Sequence, residues 1–324
     1  MVFRASSAAL LAATLTVGCA GGRTVVVTPR GPVSPDVIAQ LRVDPGDQPR
    51  DLFLGVGGQR YAPRPDAVYK LKAKDSSGFS VSYDVIGPDG VEWSAKIGPE
   101  AQTEVVLSRI LWGLGYHQPP VYYLPSWRLD SGSGAPTVVS EARFRPKLSN
   151  LVRAEEMWRW ADNPFSGTRE LKGLLVILLV LNSTDLKDSN NSIYDSNPPW
   201  DGASRWYVVR DLGAALGETG KLYPDRNWIE GFEKESFIKG MNGSSIEFGY
   251  RGLHKELLSM ITPDDLKWAA TQLERLTDQQ WRDAFRAANY APPITDRYLR
   301  RIEEKIADAY ALRVDRRASG NNTR

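Results

Sequence analysis

The stretch LKGLLVILLVLNSTDLKDSNNSIYD, residues 171–195, decides the fold together with WYVVRDLGAALG, residues 206–217. An apolar run from Leu171 to Leu181 ends in a cluster that no core would accept: Asn182, Ser183, Thr184, Asp185, Lys187 and Asp188, then Asn190 and Asn191. A second apolar run, Trp206 to Val209, delivers Arg210, Asp211, Leu212 and Gly213. Two apolar elements thus each end in an acidic residue with amide or glycine company. That pattern suits two carboxylates and an amide converging on a metal–phosphate complex.

The segment Asp185-Leu-Lys-Asp-Ser-Asn190 places a carboxylate five residues ahead of an amide, and Asp211-Leu-Gly213 follows a hairpin-like segment. This resembles the protein-kinase-like superfamily, with its Asp-x4-Asn catalytic loop and its Asp-Phe-Gly or Asp-x-Gly metal turn. The resemblance implies that Asp185 orients or deprotonates an attacking hydroxyl. It implies that Asn190 and Asp211 hold Mg²⁺ or Mn²⁺ against the phosphates of ATP or another nucleotide. No His-Arg-Asp triplet precedes the loop, since Ser183 and Thr184 stand there, and no Gly-x-Gly-x-x-Gly loop is found. The likeness is therefore to the atypical branches, HipA-like, CotH-like or phosphoinositide-kinase-like.

Upstream, residues 67–72, 79–86 and 91–97 alternate apolar and polar residues, which predicts three strands. Asp75-Ser-Ser-Gly78 and Gly87-Pro-Asp-Gly90 supply the turns between them. The third strand carries Lys96, which the resemblance assigns to the nucleotide phosphates. Residues 99–115 form a helix: Pro99 suits the first turn, Glu100 the positive N-terminal end, and Gly115 the stop. The resemblance implies a helix glutamate paired with Lys96, with Glu104 preferred and Glu100 the alternative. Two further strands are expected at 120–124 and 137–144, the second running into a hinge where Glu141 is a candidate beside the base.

Beyond Arg145 the composition shifts toward helix, around Met157, Trp158 and Trp160 and then over 169–181. Short strands at 192–194 and 206–209 flank a loop with Pro198-Pro199. Residues 214–250 read as loop-rich and lack an Ala-Pro-Glu-like anchor. Residues 263–289 read as two helices capped by Thr262 and Thr277, and 295–312 as a third.

The 324 residues allow two lobes and a sizeable core, and a net charge of +2 gives no nucleic-acid footprint. His117 and His254, the only histidines, lack metal-ligand spacing and read as structural. Ten Trp and 13 Tyr are many, and their first reading is packing. The single cysteine, Cys19, follows an N-terminal segment with Arg4 and an apolar stretch that reads as a secretory signal. Leu15-Thr-Val-Gly-Cys19 resembles a bacterial lipobox, with Leu15 one place early, and implies lipid attachment at Cys19.

The expected organisation is a signal peptide at 1–18, a lipid-anchored tether and extension at 19–65, an N-lobe at 66–145, a C-lobe at 146–314 and a disordered tail at 315–324. The expected fold is α+β and two-lobed, kinase-like, with an antiparallel-sheet N-lobe and a mainly helical C-lobe. The expected function is an atypical phosphotransferase with nucleotide and divalent metal in the interlobe cleft. It would act on an unknown protein or small-molecule acceptor, at the membrane of the cell envelope. The alternatives are a catalytically inactive kinase-like scaffold lipoprotein and an aromatic-rich carbohydrate binder.

Overall fold

The computed structural model describes residues 32–220, 225–243 and 245–312. The signal and lipidation site at Cys19 and the tail at 315–324 lie outside the described residues. None of the described helices is long and apolar enough to cross a membrane.

A short helix, α1 (Pro35–Ile38), begins on a Ser34 cap. The first large element is a seven-stranded sheet. Its members are β1 (Val68–Asp75), β2 (Ser82–Ile86), β3 (Glu92–Ile97), β4 (Tyr122–Leu124), β5 (Trp127–Asp130), β6 (Thr137–Val139) and β7 (Ala142–Pro146). The order is β4-β7-β3-β2-β1-β5-β6. Every neighbouring pair is antiparallel except β1 and β5, so the sheet is mixed rather than antiparallel throughout. Residues 137–144, expected as one strand, divide at Ser140-Glu141. The first half pairs at one edge and the second beside β3, which no local pattern could announce. One face is held by edge-on aromatic contacts among Tyr69, Trp93, Trp127 and Phe144, whose centroids lie 5.1 to 6.5 Å apart. Such pairs add ~1 kcal/mol each to the area they bury.

Helix α2 (Glu100–Gly113) follows β3. Its apolar residues Val105, Val106, Ile110 and Leu111 are fully buried, and they belong to the core of the helical half rather than to that of the sheet. It is therefore the element that joins the two halves.

The second half is organised around α3 (Arg169–Val180), capped by Thr168. Its residues from Gly173 to Val180 are all buried, so it forms the axis of a core rather than a face on one. Each fully buried Leu, Ile or Val there stabilises the fold by ~2 kcal/mol. Gly173 permits this closeness: a Cβ there would stand 2.1 Å from the Trp268 ring. Against α3 pack α5 (Pro263–Glu274) and α7 (Pro292–Ala311), while α6 (Asp278–Arg286) packs on α2 and α7. Thr262 and Thr277 close capping boxes with Asp265 and Gln280, as expected for these helix starts.

A three-stranded sheet of β8 (Leu151–Arg153), β9 (Asn191–Trp200) and β10 (Ala203–Val209) is ordered β10-β9-β8. The expected helix near 153–161 is absent. Trp158 and Trp160 are instead buried against each other, ring centroids 4.8 Å apart, with Trp158 Nε1 donating to the Val208 carbonyl at 3.1 Å. The expected loop at 195–204 is mostly strand, closed by a turn at Asp201-Gly202. Asp201 explains that closure. Its carboxylate receives Arg50 at 3.0 Å and Trp112 Nε1 at 3.0 Å, and lies 3.6 Å from His117. His117 stacks on Trp206 at 4.8 Å and His254 meets Glu256 at 3.0 Å, so both have structural partners. Residues 214–250, expected to be loop, also hold α4 (Ile229–Lys234) and a hairpin of β11 (Ile238–Asn242) and β12 (Ser245–Phe248).

Candidate active site

Strand alternation sets the first part of the site. On β3, Trp93 and Ala95 are buried in the sheet core, so Ser94 and Lys96 point to the opposite face. On β7, Phe144 is buried in that core, and Arg143 and Arg145 take the opposite face. The β3–β7 register places Lys96 across from Arg143 and Ser94 across from Arg145. Three cations therefore share one face of two adjacent strands.

Helix α2 supplies the counter-charges. Lys96 Nζ lies 2.8 Å from Glu100 Oε2 and 3.9 Å from Glu104 Oε2. The alternative residue, Glu100, is thus the direct partner of Lys96. Glu104 is 1% exposed; its Oε1 lies 3.0 Å from Arg143 Nε in an ion pair and accepts a hydrogen bond from Arg145 Nη2. Burial alone would raise the Glu104 pKa, but Arg143, Arg145 and Lys96 outweigh it and hold the carboxyl at about 2. Burial likewise disfavours charged Lys96, yet Glu104, Asp211 and Glu100 keep its pKa above the usual lysine range.

The second half brings Asp211 to the same lysine. Lys96 Nζ donates to Asp211 Oδ1 at 2.6 Å. Asp211 has a φ of 55° and a half-exposed side chain. Gly213 then passes so close to α2 that a Cβ would lie 2.4 Å from the Glu100 Cβ, while Thr103 Oγ1 donates to the Gly213 carbonyl at 2.7 Å. Glycine there is what lets Asp211 and Glu100 face one ammonium.

Asp185 and Asn190 lie on the loop that leaves α3. Asn190 Nδ2 donates to the Asp185 carbonyl at 3.1 Å, and Lys187 Nζ meets Asp185 Oδ2 at 3.0 Å. Asp185 Oδ1 is buried and has no hydrogen-bond partner. The β9–β10 register pairs Asn191 with Val209, and Arg210 N donates to the Asn190 carbonyl at 2.9 Å, which sets Asn190 beside the residue preceding Asp211. Lys96, Glu100, Glu104 and Asp211 thus form one ion cluster, and Asp185 and Asn190 form a neighbouring pair on the adjoining loop. Among the described residues no hydrogen bond or ion pair joins the Asp185 carboxylate to Lys96 or Asp211.

A cavity of about 350 Å³ opens alongside, lined by Ser94, Pro120, Arg145, Lys147, Tyr194 and Arg210 among others. Glu141 is not among its lining residues; it sits at the β6–β7 connection instead. Arg210 is largely buried, and desolvation, with Arg145 beside it, lowers its pKa to about 10. The sequence reading gives no role to Arg143, Arg145, Arg210 or Lys187. The one available signal was Arg143-Phe-Arg145, two cations flanking a strand-core aromatic.

Among the described residues no group of three or more His, Cys, Asp or Glu side chains is arranged to hold a metal ion. The donors on hand are one half-exposed carboxylate, Asp211, and one amide, Asn190. Such a set fits a hard cation like Mg²⁺ that takes one or two protein oxygens and completes its shell with phosphate and water. It does not fit a cation held by protein alone.

No protein-family model and no curated protein sequence matches the chain. Among solved structures, the chain is similar to the proinflammatory kinase CtkA of Helicobacter pylori, at 10% identity and a TM-score of 0.44, over 76% of this chain and 95% of that one. A strand lysine, a helix glutamate and an Asp-x-Gly turn meet between a sheet-rich and a helical half of a two-lobed α+β fold.

Proposed function

We propose that the chain is an atypical kinase-like phosphotransferase that takes a nucleotide and a divalent metal in the cleft between its halves. One observation carries the reading: Lys96, from the sheet, is held at once by Glu100 of α2 and by Asp211 after β10. Lys96 and the arginines beside it supply positive charge where a polyphosphate would lie. Phosphoryl transfer asks mainly for position and charge, so this counts for more than any single nucleophile. Asn190 and Asp211 would hold the metal, which when bound would neutralise phosphate charge. Asp185 would accept the proton of the acceptor hydroxyl, and the unpartnered Oδ1 is the atom free to do so.

A binding-only reading is supported by one feature. Lys96 is already saturated by carboxylates, so phosphates must displace Asp211 or share the lysine with it.

Thermal melting with ATP, GTP and other nucleotides, each with Mg²⁺ or Mn²⁺, tests the proposal. A ligand that binds only the folded state raises the midpoint. Asp211→Ala should abolish the shift, whereas Asp185→Ala should keep it and lose transfer of labelled γ-phosphate. A shift that survives without any transfer favours the binding-only reading, and no shift with any pair refutes the phosphotransferase and favours a scaffold. Export and lipid attachment at Cys19 belong to the same proposal. Labelling with a fatty-acid analogue, lost in Cys19→Ser, checks them.

A further inference from the structure

We propose that the trough between α5, α6 and α7 is a docking groove for a basic amphipathic helix of a partner protein. It lies apart from the Lys96 cluster and does not depend on the kinase reading. The trough has a volume of about 780 Å³ and a floor that includes Leu276, Trp281, Ile302 and Ile306.

Its shape argues for a rod. The α7 residues that line it run from Leu299 to Ala311 in steps of three and four, one continuous stripe along the helix. At 1.5 Å per residue that stripe is ~18 Å long, the length of three turns of a second helix. A helix laid into such a trough would seat apolar anchors at i, i+3 or i+4, i+7 and i+11.

Its charge argues for a basic flank. Three carboxylates, Glu274, Asp278 and Glu303, line the trough, and no Lys or Arg does. Asp278 is already bridged to Arg282 at 2.8 Å, and Glu274 accepts from the Tyr310 hydroxyl at 2.7 Å. Glu303 is exposed and makes no ion pair among the described residues. A lysine or arginine beside the apolar anchors would meet Glu303 and Glu274 at the rim, where rim charges set specificity and encounter rate.

The test is a fluorescence-anisotropy titration of the full chain with a set of 14-residue helical peptides. All carry leucine at the anchor spacing, and their flanks are either Lys/Arg or Glu. The proposal expects the basic peptides to bind at least tenfold more tightly than the acidic ones. Glu303→Lys and Ala307→Arg, both at exposed lining positions, should each weaken binding at least tenfold without moving the melting midpoint. Should Ala307→Arg fail to fold, Glu303→Lys still decides.

Five outcomes overturn the proposal. They are no binding by any peptide, equal binding of basic and acidic sets, and binding unchanged in Glu303→Lys. The fourth is binding only to a chain ending at residue 312, which would give the groove to residues 313–324. Self-association lost in Ala307→Arg would place a second copy there and overturn it as well.

Discussion

Replacing Glu104 by glutamine should cost about 3 kcal/mol at neutral pH, and the cost should fade as the solution is acidified. The carboxyl is fully buried, and its pKa drops from an ordinary 4.5 to about 2 in the fold. That fall corresponds to about 3 kcal/mol of preference for the charged form. The sign follows from which state holds the proton. Between pH 4.5 and 2 the unfolded chain is protonated at Glu104 and the folded chain is not. The stabilisation is therefore complete above pH 4.5 and is lost as pH falls toward 2. Glutamine keeps the shape but leaves Arg143 and Arg145 facing each other without the shared anion, a defect worth ~3–5 kcal/mol. The assay is urea denaturation of both proteins at pH 7, 5, 4 and 3. Other carboxylates titrate in both and cancel in the difference. The difference should stay constant from pH 7 to 5 and shrink at 4 and 3. A difference that does not change with pH would show that Glu104 is not the anion between the two arginines.

Two further substitutions test neighbouring parts of the site. Gly213→Ala puts a methyl group 2.4 Å from the Glu100 Cβ and must drive Glu100 away from Lys96. It should lose ~1–3 kcal/mol by overpacking, and any nucleotide–metal melting shift should disappear with it; a shift of wild-type size would count against the role of Glu100. Lys305 is fully buried and donates to the Val180 carbonyl at 2.8 Å and to Asn182 Oδ1 at 2.7 Å, just before the Asp185 loop. Lys305→Met should cost ~1–3 kcal/mol through those two orphaned acceptors. Burial holds the lysine pKa well below its usual value, so the unfolded chain binds the extra proton. Wild-type stability should accordingly gain on the variant as pH rises from 7 toward 10, as denaturation at the two pH values would show.

Most of the longer helices were legible because their signals are local, although the helix expected near 153–161 is absent and α4 was read as loop. Thr262 with Asp265 and Thr277 with Gln280 mark two starts within four residues each. The apolar run from Leu171 could only be a buried element, and it became α3. Strands β1 to β3 were legible from alternation and turn residues. The failures fall where pairing partners are distant. Strand β5 lies parallel to β1, so a four-residue segment gains its strand character from hydrogen bonds made far along the chain, and β6 then adds to β5 at the sheet edge. The β9–β10 hairpin ran past Pro198-Pro199 because Asp201 at its tip is held by Arg50 and Trp112. None of those ties is visible within the segment itself.

The acids and the lysine of the candidate cluster stand out in the sequence, but its arginines do not, and the reason is physical. A carboxylate after an apolar run stands out because an unpaired buried charge is costly there. Arginines on a strand look like a solvated face. Only the register that sets Lys96 across from Arg143, and Ser94 across from Arg145, turns that face inward. Once three cations share it, one carboxylate must be buried among them or the face cannot close. Glu104 fills that place, which frees Glu100 to meet Lys96 directly. The split between two helix acids one turn apart is thus a consequence of Arg143 and Arg145. A chain with neutral residues at both positions would have no need to keep Glu104 ionised, and its Lys96 would have both carboxylates to itself.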